Sequence, residues 1–363
     1  MSDLLNRSIF ALSSGEKQQI AIGSVYALSP KVYIFDEPSA NLDYAAAQRL
    51  AKTMKGLKEA GCTILVVEHR FYYLRELLDR AFLIQDGRIV QCFTPAQFCQ
   101  LPEEARIQYG LRTAYPERAA GRYRAAPLVP SPRNLLQVRD LAFGYEKGVM
   151  VFQNLSFEAC SGDIIGILGH NGAGKTTLLS ILTGLRKEQR GSICCNGKKL
   201  SPRGRRALSY LVMQDTDYQL FASSVAEDLS LCMKGDCAEK VTETLEALEL
   251  SAYRDCHPAA LSGGQKQRVT IGAAMVKDSP VICFDEPTSG LDYDSMVRVS
   301  RLMEQLAEAG GILFVVSHDF EFISRTCSAV LRLDRQDVIQ KEALTPEILE
   351  ALSKQYFHGW EVL

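Results

Sequence analysis

The sequence predicts an α/β fold built twice, as one partial copy followed by one complete copy. A match of the chain to itself, a set of short buried strands and one glycine-rich loop set between strand and helix point to it. LSSGEKQQIAIG at 12–23 returns as LSGGQKQRVTIG at 261–272, an offset of 249 residues. The same offset carries FDEP at 35–38 onto FDEP at 284–287, Asp43 onto Asp292 and His69 onto His318, and 15 of the 33 positions from 12 to 44 match without a gap. Chance does not produce that agreement. The runs 163–168, 281–284 and 312–316 are short, apolar and rich in branched residues, the composition of parallel strands buried on both faces. The glycine-rich loop GHNGAGKTT at 169–177 has no counterpart in the first copy, because its lysine, moved back by 249, falls ahead of residue 1.

Residues 1–102 are therefore expected to be the rear part of one domain, 135–363 a complete second domain and 103–134 a linker. The linker holds six arginines, three glutamates and Pro116, Pro127, Pro130 and Pro132. That proline spacing disfavours helix and strand alike, and a solvated connection is expected rather than a contact with phosphates or lipid head groups.

Composition narrows the function. Of the 363 residues, 47% are hydrophobic and 23% charged, the balance of a globular chain with a real core. A net charge of −2 offers no global attraction to nucleic acid, and none is expected as a partner. The eleven cysteines are scattered without a C-x-x-C pair, which suits a reducing compartment better than a disulfide scaffold. No run approaches the roughly 18 apolar residues of a membrane span, and the opening MSDLLNRSIF lacks a signal-peptide core. Any service to a membrane is expected to run through a partner.

The chemistry concentrates in the second copy. Strand, G-x-x-x-x-G-K-T loop and helix in succession form a phosphate cradle, the Walker A arrangement. Along Gly169, His170, Asn171, Gly172, Ala173, Gly174, Lys175, Thr176 and Thr177, the glycines let backbone N–H groups turn inward and the helix adds its positive end. Lys175 suits the β- and γ-phosphates of a nucleotide, and Thr176 suits Mg²⁺. The run Val281–Phe284 ends in Asp285 and Glu286, so two carboxylates emerge together where open α/β sheets place ligands. Asp285 suits the magnesium shell and Glu286 suits activation of the attacking water. A third run delivers His318 to the same edge, and the repeat places Glu37 and His69 alike in the first copy.

Over nearly the whole chain these residues resemble the ATP-binding cassette (ABC) ATPases. The family's signature, LSGGQ, stands intact at 261–265 and as LSSGE at 12–16. The resemblance implies a P-loop NTPase core of parallel strands with an antiparallel β subdomain and a helical signature subdomain, ATP and Mg²⁺ as cofactors, and ATP hydrolysis. It implies Gln214 as the Q-loop glutamine, near γ-phosphate and metal, and Tyr145 as the aromatic stacked on adenine. It further implies Asp43 and Asp292 as D-loop aspartates, Glu37 and Glu286 as catalytic glutamates, and His69 and His318 as switch histidines. Family members enclose ATP between the Walker A of one cassette and the signature of another. Ser13 and Gly15, or Ser262, Gly263 and Gly264, are then the residues that would meet the γ-phosphate with a helix N-terminus. Ser14 replaces the first signature glycine in the first copy and is expected to weaken that signature. Pairing of second copies from two chains is favoured over closure within one chain.

MQDTDYQLFASSVAEDL at 213–229 resembles the QLF-containing segment of energy-coupling factor transporter ATPases. That likeness implies an importer of vitamins or metal ions, working with a transmembrane scaffold and a substrate-binding membrane subunit at the cytoplasmic face of the membrane. Fused cassette pairs that act on ribosomes are the alternative. Their linkers are longer, strongly charged and helical, unlike 103–134.

Overall fold

The computed structural model describes residues 8–9, 12, 14–40, 42–121, 134–145, 149–231, 233, 235–333 and 341–358. Two compact units emerge: Met1–Ala119 with Gly290–Asp294 and Ser353–Leu363, and Ala120–Ser289 with Ser295–Leu352. This division differs from the sequence expectation in assigning two short stretches of 135–363 to the first unit.

The first unit runs α1 (Ser14–Tyr26), β1 (Val32–Asp36), α2 (Tyr44–Glu59), β2 (Thr63–Val67), β3 (Ala81–Gln85), β4 (Arg88–Phe93), α3 (Pro95–Cys99) and α4 (Glu103–Gln108). Strands β1 and β2 pair in parallel from Val32 opposite Thr63 to Asp36 opposite Val67, while β3 and β4 form a separate antiparallel pair. Helix α2 carries its apolar residues at helical spacing and buries Ala46, Ala47, Leu50, Ala51, Met54 and Leu57. Phe35, Ile64 and Val66, from one face of the strand pair, pack into that cluster. Asp43 accepts a hydrogen bond from the Ala46 N–H at 2.7 Å and so caps α2.

The expectation that 103–134 lacks regular structure is corrected. Glu103–Gln108 is helical and Pro116–Gly121 forms a 3₁₀ turn. Proline is tolerated where a helix begins, because no N–H is required there. Pro102 occupies that flank of α4, and Glu103 and Glu104 sit at the helix's positive end. Pro127, Pro130 and Pro132 lie outside the described residues.

The second unit contains β5 (Leu135–Phe143), β6 (Phe152–Cys160), β7 (Ile164–Leu168), β8 (Arg190–Cys195), β9 (Lys198–Lys199), β10 (Ser209–Val212), β11 (Val281–Asp285), β12 (Ile312–Val316), β13 (Ala329–Arg332) and β14 (Glu342–Ala343). One sheet has the order β10-β11-β12-β7-β13-β14, parallel except for β14, and the other is antiparallel with the order β6-β5-β8-β9. Every residue of β7, β11 and β12 is buried, as the unbroken apolar runs require. The helices are α5 (Lys175–Leu182), α6 (Pro202–Leu208), α7 (Val225–Ser230), α8 (Ala238–Ala247), α9 (Gly263–Lys277), α10 (Tyr293–Glu308), α11 (Phe320–Thr326) and α12 (Pro346–His358), the first and last residues of α10 and α12 lying across the unit division.

The core is the layer where α5 is held between the two sheets. Leu178, Leu179, Ile181 and Leu182 of α5 join Ile165 and Ile167 of β7 and Val138 and Leu141 of β5, all buried. Helices α7, α8 and α9 form the helical subdomain. Gly272 on α9 admits its neighbours closely, since a Cβ there would stand 2.5 Å from Leu248 Cδ1 and 2.9 Å from Leu229 Cδ2. The parallel core, antiparallel subdomain and helical signature subdomain implied by the sequence are all present.

Candidate nucleotide-binding site

Strands β10, β11, β12 and β7 are neighbours and parallel, so residues that follow their C-terminal ends in sequence meet at one edge. Gln214 follows β10, Asp285 ends β11 with Glu286 directly after it, His318 follows β12, and the loop 169–174 follows β7. The sheet thus assembles four sequence-predicted elements that are far apart in the chain.

The loop's geometry depends on glycine. Gly174 has φ +97°, and a Cβ there would run into Val151 Cγ1. Gly169 presses its α-carbon against the chain at Leu333, whose carbonyl oxygen would lie 2.6 Å from an added Cβ. Ala173 is buried, and Asn171 and Gly172 are exposed. Helix α5 starts at Lys175 with Gly174 as its N-cap, which aims the helix's free N–H groups at the loop. Lys175 is buried, and its Nζ donates to the carbonyls of Gly169 at 2.8 Å and His170 at 3.2 Å. The ammonium therefore lies across the mouth of the loop.

Thr176 Oγ1 donates to Asp285 Oδ2 at 2.9 Å, joining the loop to the end of β11. Burial pushes the Asp285 carboxyl above the usual carboxylate range, opposed by the Thr176 hydroxyl and the Lys175 charge. A hydroxyl and a carboxylate side by side are hard oxygen donors and fit Mg²⁺, which takes few protein ligands and fills its shell with water and phosphate oxygens. Among the described residues no cluster of three His, Cys, Asp or Glu side chains offers an all-protein metal cage.

Glu286 sits in the left-handed region at φ 49°, and its N–H donates to Val316 O at 2.9 Å. Its Oε2 accepts the His318 backbone N–H at 3.1 Å, and Oε1 lies 3.6 Å from His318 Nε2. The first unit repeats this arrangement. Glu37 has φ 41°, its N–H donates to Val67 O at 2.9 Å, and Oε1 lies 3.4 Å from His69 Nε2. Hydrogen bonding to Glu37 raises the His69 imidazole above its ordinary value, against the opposing effect of burial. A non-glycine residue held at positive φ in both copies, each time beside a histidine, is local strain kept at an equivalent place.

Tyr145 reaches the same loop, its hydroxyl 2.8 Å from Thr177 Oγ1. The Arg186 guanidinium lies 4.9 Å from the Tyr145 ring centroid. Sequence reasoning missed Arg186, because no motif or spacing links it to Tyr145. Ser262 caps α9: the Gln265 N–H donates to Ser262 Oγ at 3.4 Å, and the Ser262 N–H donates to Gln265 Oε1 at 2.8 Å. Ser262 and Gly263 are exposed, Gly264 is half-buried, and a Cβ at Gly263 would meet open space. In the first copy Ser13 lies outside the described residues, and Gly15 falls in the first turn of α1.

Comparison with known proteins agrees with this geometry. Residues 152–289 match the family model described as ABC transporter. Two Treponema denticola proteins, each described as a putative ABC transporter ATP-binding protein, are 38% identical. One matches over 337 residues, 92% of this chain and 69% of its own, and the other over 350 residues, 94% and 70%. Among solved structures, cbiO1 from Clostridium perfringens, part of the ABC transporter complex cbiONQ, is 29% identical with a TM-score of 0.54, covering 60% of this chain and 90% of its own. With sequence matched across both units and the strand edge assembled as described, the chain belongs to the family of ABC transporter ATP-binding proteins, which are ATPases.

Proposed function

We propose that the second unit binds Mg·ATP at the loop 169–177 and hydrolyses it, as the ATP-binding subunit of an energy-coupling factor type importer of vitamins or metal ions. The observation that supports this most is the convergence of Lys175, Thr176, Asp285, Glu286 and His318 on one sheet edge. In this reading the nucleotide and its metal supply the scissile phosphoanhydride and charge neutralisation. The chain's own residues do the rest. The loop amides and Lys175 hold the phosphates, which requires the ammonium to exchange its Gly169 and His170 carbonyls for phosphate oxygens. Thr176, Asp285 and Gln214 orient the metal shell. Tyr145, steadied by Arg186, offers a ring face to the base. Glu286 takes a proton from the attacking water, and His318 keeps the carboxylate aimed. Glu37 and His69 are the corresponding pair of a first, partial cassette in residues 1–102.

The signature supports a partnership. Gly263 opens α9 directly after its N-cap, and nothing within its unit crowds it, so no internal contact requires glycine there. The requirement then lies in what approaches from outside, and we assign this to the phosphates of ATP held by a second cassette.

The importer reading is supported by the segment after Gln214. Tyr218 and Phe221 are 78% and 74% exposed, and Met213 of the same segment is 40% exposed. Several exposed large apolar side chains in one short segment suit a protein-binding surface. Among the described residues no helix is long and apolar enough to cross a membrane. The chain, tagged and produced with or without a candidate transmembrane scaffold, is expected to sediment with membranes only in the scaffold's presence. Paired Tyr218→Ser and Phe221→Ser substitutions are expected to release it. Sedimentation with ribosomes and none with membranes would replace the importer by the translation-factor alternative.

A further inference from the structure

The expectation of a solvated connection over 103–134 fails most clearly at residues 106–112. There the chain closes α4: the Gly110 N–H donates to Ile107 O at 2.9 Å, the Leu111 N–H donates to Arg106 O at 3.0 Å, and Gly110 takes φ +66°. Glycine reaches that conformation without strain, so the chain can reverse. The reversal presents the turn to Gly290–Asp294, which belongs to the same unit. The Tyr293 N–H donates to Gly110 O at 3.2 Å, and the buried Arg112 donates through Nη1 to Leu291 O at 3.4 Å. Arg106, braced by its own bond to Leu111 O at 2.6 Å, lays its guanidinium 4.8 Å from the centroid of the Tyr293 ring. Leu291 and Tyr293 are both buried.

The same five residues also meet the Glu37–His69 pair. A Cβ at Gly290 would stand 2.6 Å from Glu37 Oε2, so only glycine allows that approach. Hydrogen bonding to Glu37 is the largest influence raising the His69 imidazole, and the charges of Glu37, Asp292 and Glu68 add to it against the effect of burial. Segment 290–294 therefore lies between the turn and the pair. An equivalent tyrosine is held in a like way. The offset of 249 carries Tyr44 onto Tyr293, and each opens a helix, α2 and α10. Aligning TPAQF at 94–98 with TPEIL at 345–349 puts Arg106 opposite Phe357, whose ring stands edge-on to Tyr44 at 5.1 Å. All four residues lie in the first unit. Two different side chains in equivalent places grip equivalent tyrosines, which a single accidental contact does not explain.

We propose that the turn 106–112 is a clasp that seats residues 290–294 on the Glu37–His69 pair, with Arg106, Gly110 and Arg112 as positioning residues for ATP turnover. Gly290 follows Glu286 by four residues, so the placement of 290–294 is tied by a short length of chain to the proposed base. One backbone hydrogen bond, one guanidinium–carbonyl bond and one cation–ring contact make the clasp, and none of them belongs to a hydrophobic core. It can therefore be loosened without unfolding the unit. The link to turnover rests on the proposed hydrolysis at Glu286, whereas the seating itself does not.

His69 reports the seating. Its imidazole is followed by NMR titration of the full chain, with the signal assigned by its loss in His69→Gln. Asp292→Asn removes a nearby negative charge, is expected to lower the His69 midpoint, and sets the scale. Gly110→Ala puts a side chain at φ +66°, and Arg106→Ala removes the contact with the Tyr293 ring. Each is expected to lower the midpoint by roughly 0.3 pH units or more, a twofold easier release of the proton, and to add nothing once Asp292→Asn is present. The sign is diagnostic for Arg106, since loss of a cation acting through its charge alone would raise His69. Tyr293→Phe keeps a ring beneath the guanidinium and is expected to leave the midpoint in place. Arg106→Gln, which keeps much of the stem without the charge, is read in its stead should Arg106→Ala fail to fold. Phosphate release under saturating Mg·ATP is expected to fall about two- to fivefold in the clasp variants, the scale of one cation–ring contact, with nucleotide affinity unchanged. A midpoint indifferent to Asp292→Asn, or to every clasp variant that melts cooperatively, overturns the proposal. Lowered midpoints with unchanged phosphate release would overturn the role in turnover. Lowered midpoints in a chain that hydrolyses no ATP even unmodified would instead overturn the ATPase reading of the second unit and leave the clasp standing.

Discussion

Replacing Glu286 by glutamine tests the proposed hydrolytic step with little change of shape. The carboxylate is held at both ends: Oε2 accepts the His318 N–H at 3.1 Å, and Oε1 faces His318 Nε2 at 3.6 Å. A glutamine carbonyl oxygen can keep the first contact, so the positive-φ backbone at this residue and the end of β11 should persist. What disappears is a group able to take a proton at neutral pH. The positioned base contributes about 10²–10⁴ in rate, or about 2.7–5.4 kcal/mol of activation free energy. The phosphates are assigned to Lys175 and the loop amides, not to Glu286, so nucleotide affinity should hold. Phosphate release under saturating Mg·ATP measures the rate, and equilibrium titration with a fluorescent nucleotide measures the affinity. An unchanged rate would show that Glu286 is not the base. A loss of affinity as large as the loss of rate would show that the substitution disturbed the site rather than the chemistry.

Lys175→Ala is expected to weaken ATP binding by roughly tenfold or more, the scale of about 1.5–3 kcal/mol for hydrogen bonds to a charged group, and isothermal titration checks it. Asp285→Asn is expected to raise the thermal midpoint of the nucleotide-free protein at pH 7 while lowering Mg²⁺-dependent nucleotide binding. The sign follows from the raised Asp285 carboxyl: the folded chain holds that proton more tightly than the unfolded chain, so the ionised form costs stability above the raised value. That cost fades as pH falls toward the ordinary carboxylate range, and melting curves across acidic pH should show the two proteins converging. If second units of two chains pair, Ser262→Arg is expected to abolish hydrolysis, and activity per chain should rise with protein concentration. Loss on Ser13→Arg with no effect of Ser262→Arg would point instead to closure within one chain.

The proposed nucleotide loop was legible in the sequence because its chemistry is consecutive. Glycines at 169, 172 and 174 followed by Lys175 and Thr176 specify backbone freedom, positive charge and a hydroxyl within one turn, and neighbouring residues stay together however the rest folds. Asp285, Glu286 and His318 were legible for a different reason. Each ends or follows an apolar run whose composition requires a buried strand, and the repeat showed the same pairing at Glu37 and His69. The helical turns within 103–121 were obscured by Pro116, because proline breaks a helix interior and also starts helices.

Tertiary structure decided which strands stand side by side. The order β10-β11-β12-β7 brings Thr176 within 2.9 Å of Asp285, a contact spanning 109 residues, and the packing of the antiparallel sheet's β5 end sets Tyr145 on Thr177 with Arg186 over its ring. Strand composition records burial but carries no record of neighbour, since β7, β11 and β12 all read as the same apolar run. The open face of the first unit shows the same limit from the other side. Val32, Ile34, Leu65 and Val67 look like core residues in the sequence, and only the fold reveals that their strands are covered on one side alone. Side-chain chemistry is local to the chain, whereas burial belongs to whatever the chain is packed against.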